Sequence, residues 1–181
     1  MRKIIAGLFI SLDGVVEAPE TWHFPYLDEE MGQAVATQMQ AADALLLGRR
    51  TYEIFAAHWP KQDSAQDPMA ALLNSVPKHV VSTTLTDPAW ENTTVLAGDP
   101  RAALSELKRR PGKDIGMSGS PTLVTWLLRE GLLDELNLLV HPIVLGSGRR
   151  LFEDGTGQIP LTLTRSATFG NGVLNLTYAR A

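Results

Sequence analysis

Residues 114–131, DIGMSGSPTLVTWLLREG, contain the sharpest secondary-structure signals in the chain. The first four residues, 114–117, have the pattern of a short buried strand. Ser120 followed by Pro121 is typical of a helix start, and Gly131 is typical of a helix end. Between them, apolar residues recur at helical spacing: Leu123, Leu127 and Leu128. The stretch therefore predicts a strand that turns directly into a helix.

The same alternation of strand and helix precedes this stretch. Apolar runs predict strands over residues 3–12, 44–48, 79–82 and 93–96. Helical spacing and capping residues predict helices over residues 28–41 and 51–59, and a third helix that Asp99 caps and Pro100 begins. Such an alternation indicates a mostly parallel sheet with helices on both faces, and ligands at the carboxyl ends of its strands.

The pattern changes after Gly131. Residues 135–145, 161–168 and 173–179 are all strand-like, and the last two flank the turn Gly170-Asn171-Gly172. We therefore expect the chain to close with antiparallel strands. No repeat or linker divides the sequence, so we expect one α/β domain over residues 1–181.

The amino-acid composition argues against several classes of protein. Hydrophobic residues make up 44% of the 181 residues, yet no apolar stretch approaches the roughly 20 residues that span a membrane. The absence of cysteine excludes disulfides and thiolate metal sites. A net charge of -4 argues against a general nucleic-acid binder. We expect a cytoplasmic protein with neither a metal nor a membrane or nucleic-acid partner.

Two arginines mark a first candidate site, Gly48-Arg49-Arg50-Thr51. The helix dipole disfavours positive charge at a helix start by roughly 0.3 to 1 kcal/mol for each charge. A phosphate would compensate both charges and accept bonds from backbone N–H groups and from the Thr51 hydroxyl. The alternative is a solvated arginine pair that points outward.

A second candidate site is Gly116-Met117-Ser118-Gly119-Ser120-Pro121-Thr122, where glycines permit close approach of a phosphate to the backbone. The spacing is not that of the Rossmann fingerprint, so a tight turn is an equal alternative. Two such sites in one α/β domain suggest a dinucleotide. Ser82 and Thr83, which end a third strand, either bind a ribose 2′-phosphate or only terminate the strand.

Other polar residues are less informative. Asp13 is a candidate polar group beside the reacting ring, but Asp13-Gly14 is also a common turn. His141 lies in a strand pattern and is expected to be packed. The histidines lack metal-ligand spacing, and no Ser-His-Asp set can be ordered from the sequence.

Taken together, these segments resemble the dihydrofolate-reductase-like superfamily, and specifically the family of the C-terminal domain of the riboflavin-biosynthesis deaminase-reductase. The resemblance spans nearly the whole chain and rests on several short segments. They are Ile5-Ala6-Gly7-Leu8 with Ser11-Leu12-Asp13-Gly14, Leu47-Gly48-Arg49-Arg50-Thr51-Tyr52-Glu53, Val81-Ser82, residues 116–123, and Leu132-Leu133-Asp134-Glu135-Leu136 leading into His141-Pro142-Ile143-Val144-Leu145-Gly146. It implies three α/β/α layers around a mostly parallel central sheet.

The resemblance also implies roles for individual residues. The nicotinamide of NADPH would be bordered by Ala6, Gly7, Val15 and Val16. Phosphate would be held by Arg49, Arg50 and Thr51, with Ser82 and Thr83 near the 2′-phosphate. The pyrophosphate would be lined by Gly119, Ser120, Thr122 and Leu123, whereas Trp22 and Phe55 would face the substrate.

The implied function is an NADPH-dependent reductase that transfers a hydride to a small heterocyclic or phosphoribosylamino-pyrimidine substrate. Dihydrofolate reductase is an alternative, but Asp28, Glu29 and Glu30 fit no unique register for the carboxylate that binds a pterin. A regulatory protein that binds NADP without catalysis is the alternative from another class, because the sequence offers no compelling proton donor.

Three further expectations concern assembly and specificity. Residues 136–144 form a long apolar strand, which predicts a homodimer if a partner covers it. Gly146-Ser147-Gly148-Arg149-Arg150 is either a mobile loop whose arginines meet a substrate phosphate or an ordinary surface turn. Arg49 and Arg50 predict tighter binding of NADPH than of NADH.

Overall fold

Eight strands form the sheet at the centre of the computed structural model, which describes residues 1–181. The strands are β1 (Ile4–Ser11), β2 (Ala42–Gly48), β3 (Lys78–Val81), β4 (Thr93–Leu96), β5 (Asp114–Ser118), β6 (Glu135–His141), β7 (Leu161–Thr168) and β8 (Leu174–Arg180). The helices are α1 (Glu29–Gln40), α2 (Arg49–His58), α3 (Pro68–Ser75), α4 (Pro100–Arg109) and α5 (Pro121–Glu130).

The strand order is β4-β3-β2-β5-β1-β6-β8-β7. The first six strands in this order pair in parallel, and β8 and β7 add to β6 as antiparallel neighbours. The predicted combination of a mostly parallel sheet with antiparallel C-terminal strands is therefore confirmed. The carboxyl ends of all six parallel strands lie at one edge, which we call the carboxyl edge.

Helices cover both faces of the sheet. The largest buried cluster joins α4 and α5 to alternate residues of β1, including Ile4, Ala6 and Leu8. Two smaller clusters on the opposite face join α1 to β6, and α2 and α3 to β2 and β3. This arrangement gives the three α/β/α layers, because alternate residues of a strand point to opposite faces.

Buried charges close the opposite, amino edge of the sheet. The Lys78 side chain is completely buried, donates to the carbonyl oxygens of Asn74 and Glu91 at 2.9 and 3.0 Å, and lies over the Trp90 ring. Lys108 pairs with Asp134 at 2.6 Å. These cations are satisfied within the fold, so the amino edge presents no open cationic site from Lys78 or Lys108.

Strand β6 differs from the prediction in length and in position. It ends at His141 because the chain turns away at Pro142, and it lies between β1 and β8 in the interior of the sheet. Its side chains are mostly buried. The homodimer was predicted because residues 136–144 were expected to form an exposed apolar strand. That reason is wrong, since β6 is paired on both sides. None of the helices is long and apolar enough to cross a membrane.

Candidate functional site

The starts of α2 and α5 meet at the carboxyl edge. The Gly48 N–H donates to Ser120 Oγ at 2.9 Å, and the Ser120 N–H donates to Thr51 Oγ1 at 3.0 Å. The two segments follow β2 and β5, which are neighbours in the sheet. The two candidate phosphate sites of the sequence are thus one junction, which we call the Gly48–Ser120 junction.

The helix starts at this junction lack the caps that the other helices have. The starts of α1, α3 and α4 are each capped by an aspartate carboxylate that accepts backbone N–H bonds: Asp28, Asp67 and Asp99. No side chain caps α2 or α5. Ser120 occupies the predicted N-cap position of α5, but its hydroxyl accepts from Gly48 and does not cap the helix. Two helix starts therefore keep uncapped N–H groups at one place.

The backbone at the junction is held in an uncommon conformation. Gly119 has φ of 73°, and Ser120 has φ of 59° and ψ of 54°, the left-handed region that side-chain-bearing residues rarely adopt. A Cβ on Gly119 would lie 3.4 Å from Thr51 Cγ2. Strain of this kind costs on the order of 1–3 kcal/mol and is concentrated at functional sites. The two hydrogen bonds of the junction hold Ser120 in it.

The two arginines diverge from the start of α2. Arg49 Nη1 donates to Thr84 Oγ1 at 3.2 Å, beyond the end of β3. Arg50 Nη2 lies 3.9 Å from Glu17 Oε1, on the segment that follows β1. Both side chains are exposed. The expectation that both arginines serve one 2′-phosphate is corrected, because only Arg49 points toward β3.

The hydroxyl groups of Ser82, Thr83 and Thr84, which follow β3, differ in exposure and in hydrogen bonding. Ser82 is buried, and its Oγ accepts from the N–H groups of Thr84 and Leu85 at 3.1 and 3.0 Å. It shapes the turn, which is the structural alternative considered for it. Thr83 and Thr84 are exposed, and Thr84 reaches Arg49. Thr84 is the last of the three hydroxyl residues in sequence after this strand, Ser82-Thr83-Thr84, a spacing that is typical of a hydroxyl-stabilised turn.

Three residues assigned to the cofactor lie below the carboxyl edge, within strands. Ala6 has no exposed surface and belongs to the core, and Gly116 is buried against the Ala42 side chain. Gly7 faces α1, where a Cβ would overlap the Gln38 amide. Strand β1 continues to Ser11, so the edge lies four residues beyond Gly7. The prediction that Ala6 and Gly116 contact a cofactor is therefore wrong, because both residues are buried.

The remaining cofactor candidates lie closer to the junction. Ser118 ends β5 and is half-buried, Thr122 is exposed in the first turn of α5, and Leu123 is buried beneath it. Val15 is buried and Val16 is half-buried beside the end of β1. Thr122 therefore offers an accessible hydroxyl to a ligand, whereas Leu123 and Val15 act through packing.

The Asp13 carboxylate joins the segment after β1 to the segment after β6. Its carboxylate accepts from Ser11 Oγ at 2.7 Å and from the N–H groups of Leu145 and Gly146 at 3.1 and 2.9 Å. The Ser11 bond and then these backbone bonds lower the Asp13 pKa to about 2. The group is therefore ionised at neutral pH and has no proton to donate. A role for this carboxylate as a polar group beside a substrate stays a prediction.

The segment after β6 is bound to the segment after β1. The Val16 N–H donates to the Arg149 carbonyl at 2.9 Å, and Arg150 Nε donates to the Asp13 carbonyl at 3.0 Å. These bonds hold in place the loop that the sequence predicted to be mobile. Arg149 Nη2 donates to Thr122 Oγ1 at 2.8 Å, at the start of α5. Arg149 thus points toward the Gly48–Ser120 junction, and its contact with a substrate stays a prediction.

Trp22 and Phe55 do not form a common substrate surface. Trp22 is buried, its Nε1 donates to the Glu17 carbonyl at 3.0 Å, and its ring contacts His141 edge-on. Phe55 packs on the cluster beneath α2, with Trp59 as an edge-on neighbour. The assignment of Trp22 as a substrate contact is corrected, because its ring points into the fold.

Two buried histidines lie beneath the carboxyl edge. The ring of His141 is fully buried, its Nδ1 bonds the Leu139 carbonyl at 2.8 Å, and its Nε2 has no partner. His23 Nδ1 also has no partner. Burial lowers the pKa of both groups, and the proximity of His141 adds to the effect on His23. Both imidazoles are therefore neutral at pH 7.

We expect the free energy of unfolding to decrease as the pH falls below about 6.5. His141 binds a proton in this pH range when the chain is unfolded, whereas in the folded protein burial lowers its pKa and keeps it neutral. His141→Gln should show a smaller decrease between pH 7 and pH 5 in urea unfolding. His58→Gln, at an exposed position, is the matched control and should follow the wild type. An unchanged pH dependence in His141→Gln would contradict this role.

Two of the three carboxylates at the start of α1 are bonded within the fold. Asp28 Oδ1 accepts from the Met31 N–H at 2.8 Å, and Glu30 Oε2 accepts from the Gly170 N–H at 3.0 Å. Glu29 is exposed. Asp28 and Glu30 are therefore engaged within the fold, which leaves Glu29 as the free carboxylate at the start of α1.

Comparison with known proteins shows the family of this chain. Residues 2–175 match the model of the RibD C-terminal domain family. The uncharacterized protein YyaP of Bacillus subtilis (strain 168) is 31% identical over 183 residues, which cover 98% of this chain and 94% of YyaP.

Solved structures share the fold. A putative riboflavin biosynthesis protein of Shewanella sp. PV-4 has a TM-score of 0.79 at 21% identity, over 99% of both chains. The Thermotoga maritima diaminohydroxyphosphoribosylaminopyrimidine deaminase/5-amino-6-(5-phosphoribosylamino)uracil reductase has a TM-score of 0.67 at 11% identity, over 99% of this chain and 57% of that one. Enterococcus faecalis dihydrofolate reductase, complexed with NADP(H), has a TM-score of 0.64 at 13% identity, over 98% and 96%. The fold is thus dihydrofolate-reductase-like, and the chain belongs to the RibD C-terminal domain family.

Proposed function

We propose that this protein is an NADPH-dependent reductase that acts on a small heterocyclic molecule. The observation that carries the proposal is the Gly48–Ser120 junction, where two uncapped helix starts meet beside Arg49 and Arg50. Backbone N–H groups, helix dipoles and guanidinium groups together favour a pyrophosphate at this place. An aspartate cap, present on the other three helices, would repel it.

The residues present fit NADPH across four neighbouring strands. Arg49, Thr83 and Thr84 beyond β3 would hold the 2′-phosphate, and the junction between β2 and β5 would hold the pyrophosphate. Val16, after β1, would border the nicotinamide. From β3 to β1 there are three strand spacings, about 14 Å in all, a distance that an extended dinucleotide can span.

The bound cofactor would supply the hydride, and the protein would supply binding, orientation and exclusion of water. Reduction also needs a proton. Asp13 is ionised, and His23 and His141 are neutral and buried, so the geometry favours water as the proton source. Because none of these three residues is a ready proton donor, a protein that binds NADP without catalysis is the second candidate.

Fluorescence titration of the wild-type protein tests the cofactor. We expect NADPH to bind roughly tenfold more tightly than NADH, because Arg49 can form a charge-assisted bond with the 2′-phosphate. Equal affinities would contradict the assignment. Oxidation of NADPH, followed at 340 nm with a panel of cyclic imines and carbonyl compounds, then separates a reductase from a protein that only binds the cofactor.

We also propose a homodimer, now on the basis of strand β7. This strand forms one edge of the sheet, and seven of its eight residues are exposed, including Leu163. An exposed edge strand is a template for pairing with a second chain. Light scattering should show a dimer at micromolar concentration, and Leu163→Lys should shift it toward monomer. A monomeric wild-type protein would contradict the proposal.

A further inference from the structure

A guanidinium group reaches the first turn of α5 from the segment after β6. Arg149 Nη2 donates to Thr122 Oγ1 at 2.8 Å, and Thr122 lies two residues after Ser120 of the Gly48–Ser120 junction. The bonds of this side chain use Nη2 and Nε, the latter to Glu153, so its Nη1 group has no partner within the fold. A cation with unused donors therefore lies beside the uncapped start of α5.

The backbone of Arg149 is fixed to the segment that follows β1. Its carbonyl accepts from the Val16 N–H at 2.9 Å, and its N–H donates to Glu17 Oε2 at 3.0 Å. Gly148 has φ of 108°, and a Cβ on it would lie only 2.8 Å from Val15 Cγ1, so the position requires glycine. These contacts determine from which side the Arg149 side chain approaches α5.

The strand order places Arg149 and Arg49 on opposite sides of the junction. Along the carboxyl edge, the ends of β3, β2, β5, β1 and β6 follow one another. Arg49 points from the start of α2 toward Thr84, beyond β3. Arg149 comes from the segment after β6, passes the segment after β1, and reaches α5, which follows β5. With the 2′-phosphate at β3 and the nicotinamide at β1, Arg149 lies on the nicotinamide side of the pyrophosphate.

Arg149 is the least exposed of the three arginines around the junction. The exposed fractions of the side chains are 33% for Arg149, 51% for Arg49 and 76% for Arg50. Salt and water screen a partly buried charge less than an exposed one, so a bond from Arg149 to a phosphate would lose less of its strength. The carboxylate on Arg149 belongs to Glu153, which is exposed, and an exposed ion pair of this kind is weak. The guanidinium therefore remains available for an anion.

We infer that Arg149 binds the nicotinamide-side phosphate of the cofactor, the one attached to the nicotinamide ribose. The inference rests on the proposed NADPH-dependent function and gives the two ends of the cofactor different arginines. Arg49 serves the 2′-phosphate, and Arg149 serves the pyrophosphate from the other side. The free Nη1 group supplies the charge-assisted bond, and the Thr122 hydroxyl holds the guanidinium in position.

Calorimetric titration without substrate tests the assignment with three probes: NADP⁺, NAD⁺ and adenosine 2′,5′-bisphosphate. The bisphosphate carries the 2′-phosphate and the adenosine-side phosphate but lacks the nicotinamide-side phosphate. We expect Arg149→Gln to weaken NADP⁺ and NAD⁺ about tenfold each and to leave the bisphosphate unchanged. Arg49→Gln should show a different pattern, with weaker NADP⁺ and bisphosphate and unchanged NAD⁺. Unchanged binding of the bisphosphate also shows that the Arg149 variant is folded.

Neighbouring side chains provide the controls. Arg150→Gln removes the adjacent positive charge, whose Nε bonds the Asp13 carbonyl, and should leave all three affinities unchanged. Glu153→Gln removes the carboxylate on Arg149 and should bind NADP⁺ at least as tightly as the wild type. Arg149→Lys keeps the charge without the planar fork, so it should recover part of the affinity that Arg149→Gln loses.

The inference is overturned if Arg149→Gln binds NADP⁺ and NAD⁺ as the wild type does, if it weakens the bisphosphate equally, or if Arg150→Gln causes the same loss. Wild-type cofactor affinity in Arg149→Gln, together with weaker binding of a phosphorylated substrate, would assign Arg149 to the substrate instead. Failure of the proposed function gives a different result, because the wild-type protein would then bind neither NADP⁺ nor NAD⁺.

Discussion

Arg49→Gln is expected to weaken NADPH binding roughly tenfold and to leave NADH binding nearly unchanged. Arg49 reaches past β3 to Thr84, where only the 2′-phosphate of NADPH would meet it. A bond to a charged group contributes about 1.5 to 3 kcal/mol, and solvent screening of the exposed guanidinium places the effect near the lower value. Fluorescence titration with both cofactors measures the change.

Arg50→Gln provides the informative contrast. Arg50 points toward Glu17 and away from β3, so this variant should weaken both cofactors to a similar degree. Arg101→Gln, at an exposed arginine near the start of α4, should leave both affinities unchanged. Rising salt should weaken NADPH more steeply than NADH in the wild type and equally in Arg49→Gln. A double variant, Arg49→Gln with Arg50→Gln, that binds like the wild type would defeat the phosphate assignment.

Thr51→Val is expected to weaken NADPH and NADH equally, by about tenfold, and to destabilise the fold. The substitution keeps the shape of the side chain but removes the oxygen that accepts from the Ser120 N–H. An unsatisfied buried donor costs about 1–3 kcal/mol, and Ser120 would also lose one of the two bonds that hold its left-handed backbone. Urea unfolding and cofactor titration measure the two effects.

Thr51→Ser keeps the hydroxyl and removes only the methyl group, so this variant should retain most of the cofactor affinity. Thr125→Val is a helical control, because this threonine lies on α5 and its hydroxyl donates to the carbonyls of Pro121 and Leu151, not to Gly48 or Ser120. Cofactor affinity that is unchanged in Thr51→Val, despite a lower free energy of unfolding, would show that the junction is structural only.

The sequence predicted the elements of the fold well because their signals are local. The Asp99-Pro100 start of α4 and the Gly131 end of α5 are both present, since caps depend on neighbouring residues in the chain. The order of strands and helices also indicated a parallel sheet with an antiparallel end. The same local reasoning singled out both segments of the Gly48–Ser120 junction.

Local signals failed where a role depends on distant partners. Ser120 has the sequence of a cap, but Gly48, 72 residues away, takes its hydroxyl. Asp13 looked available for chemistry until the Leu145 and Gly146 N–H groups, more than 130 residues away, were found on its carboxylate. Strand β6 was expected at the surface, although its apolar run is equally typical of an interior strand.

By itself, the sequence determined the fold class, the order of the strands and of every helix except α3, and the two glycine-containing segments that precede α2 and α5. The tertiary structure alone decided that these segments form one junction, that Arg49 and Arg50 diverge, and that Asp13 has no proton to donate. The physical reason is that backbone propensity acts over a few residues, whereas the orientation and the pKa of a side chain depend on groups that only the folded sheet brings together.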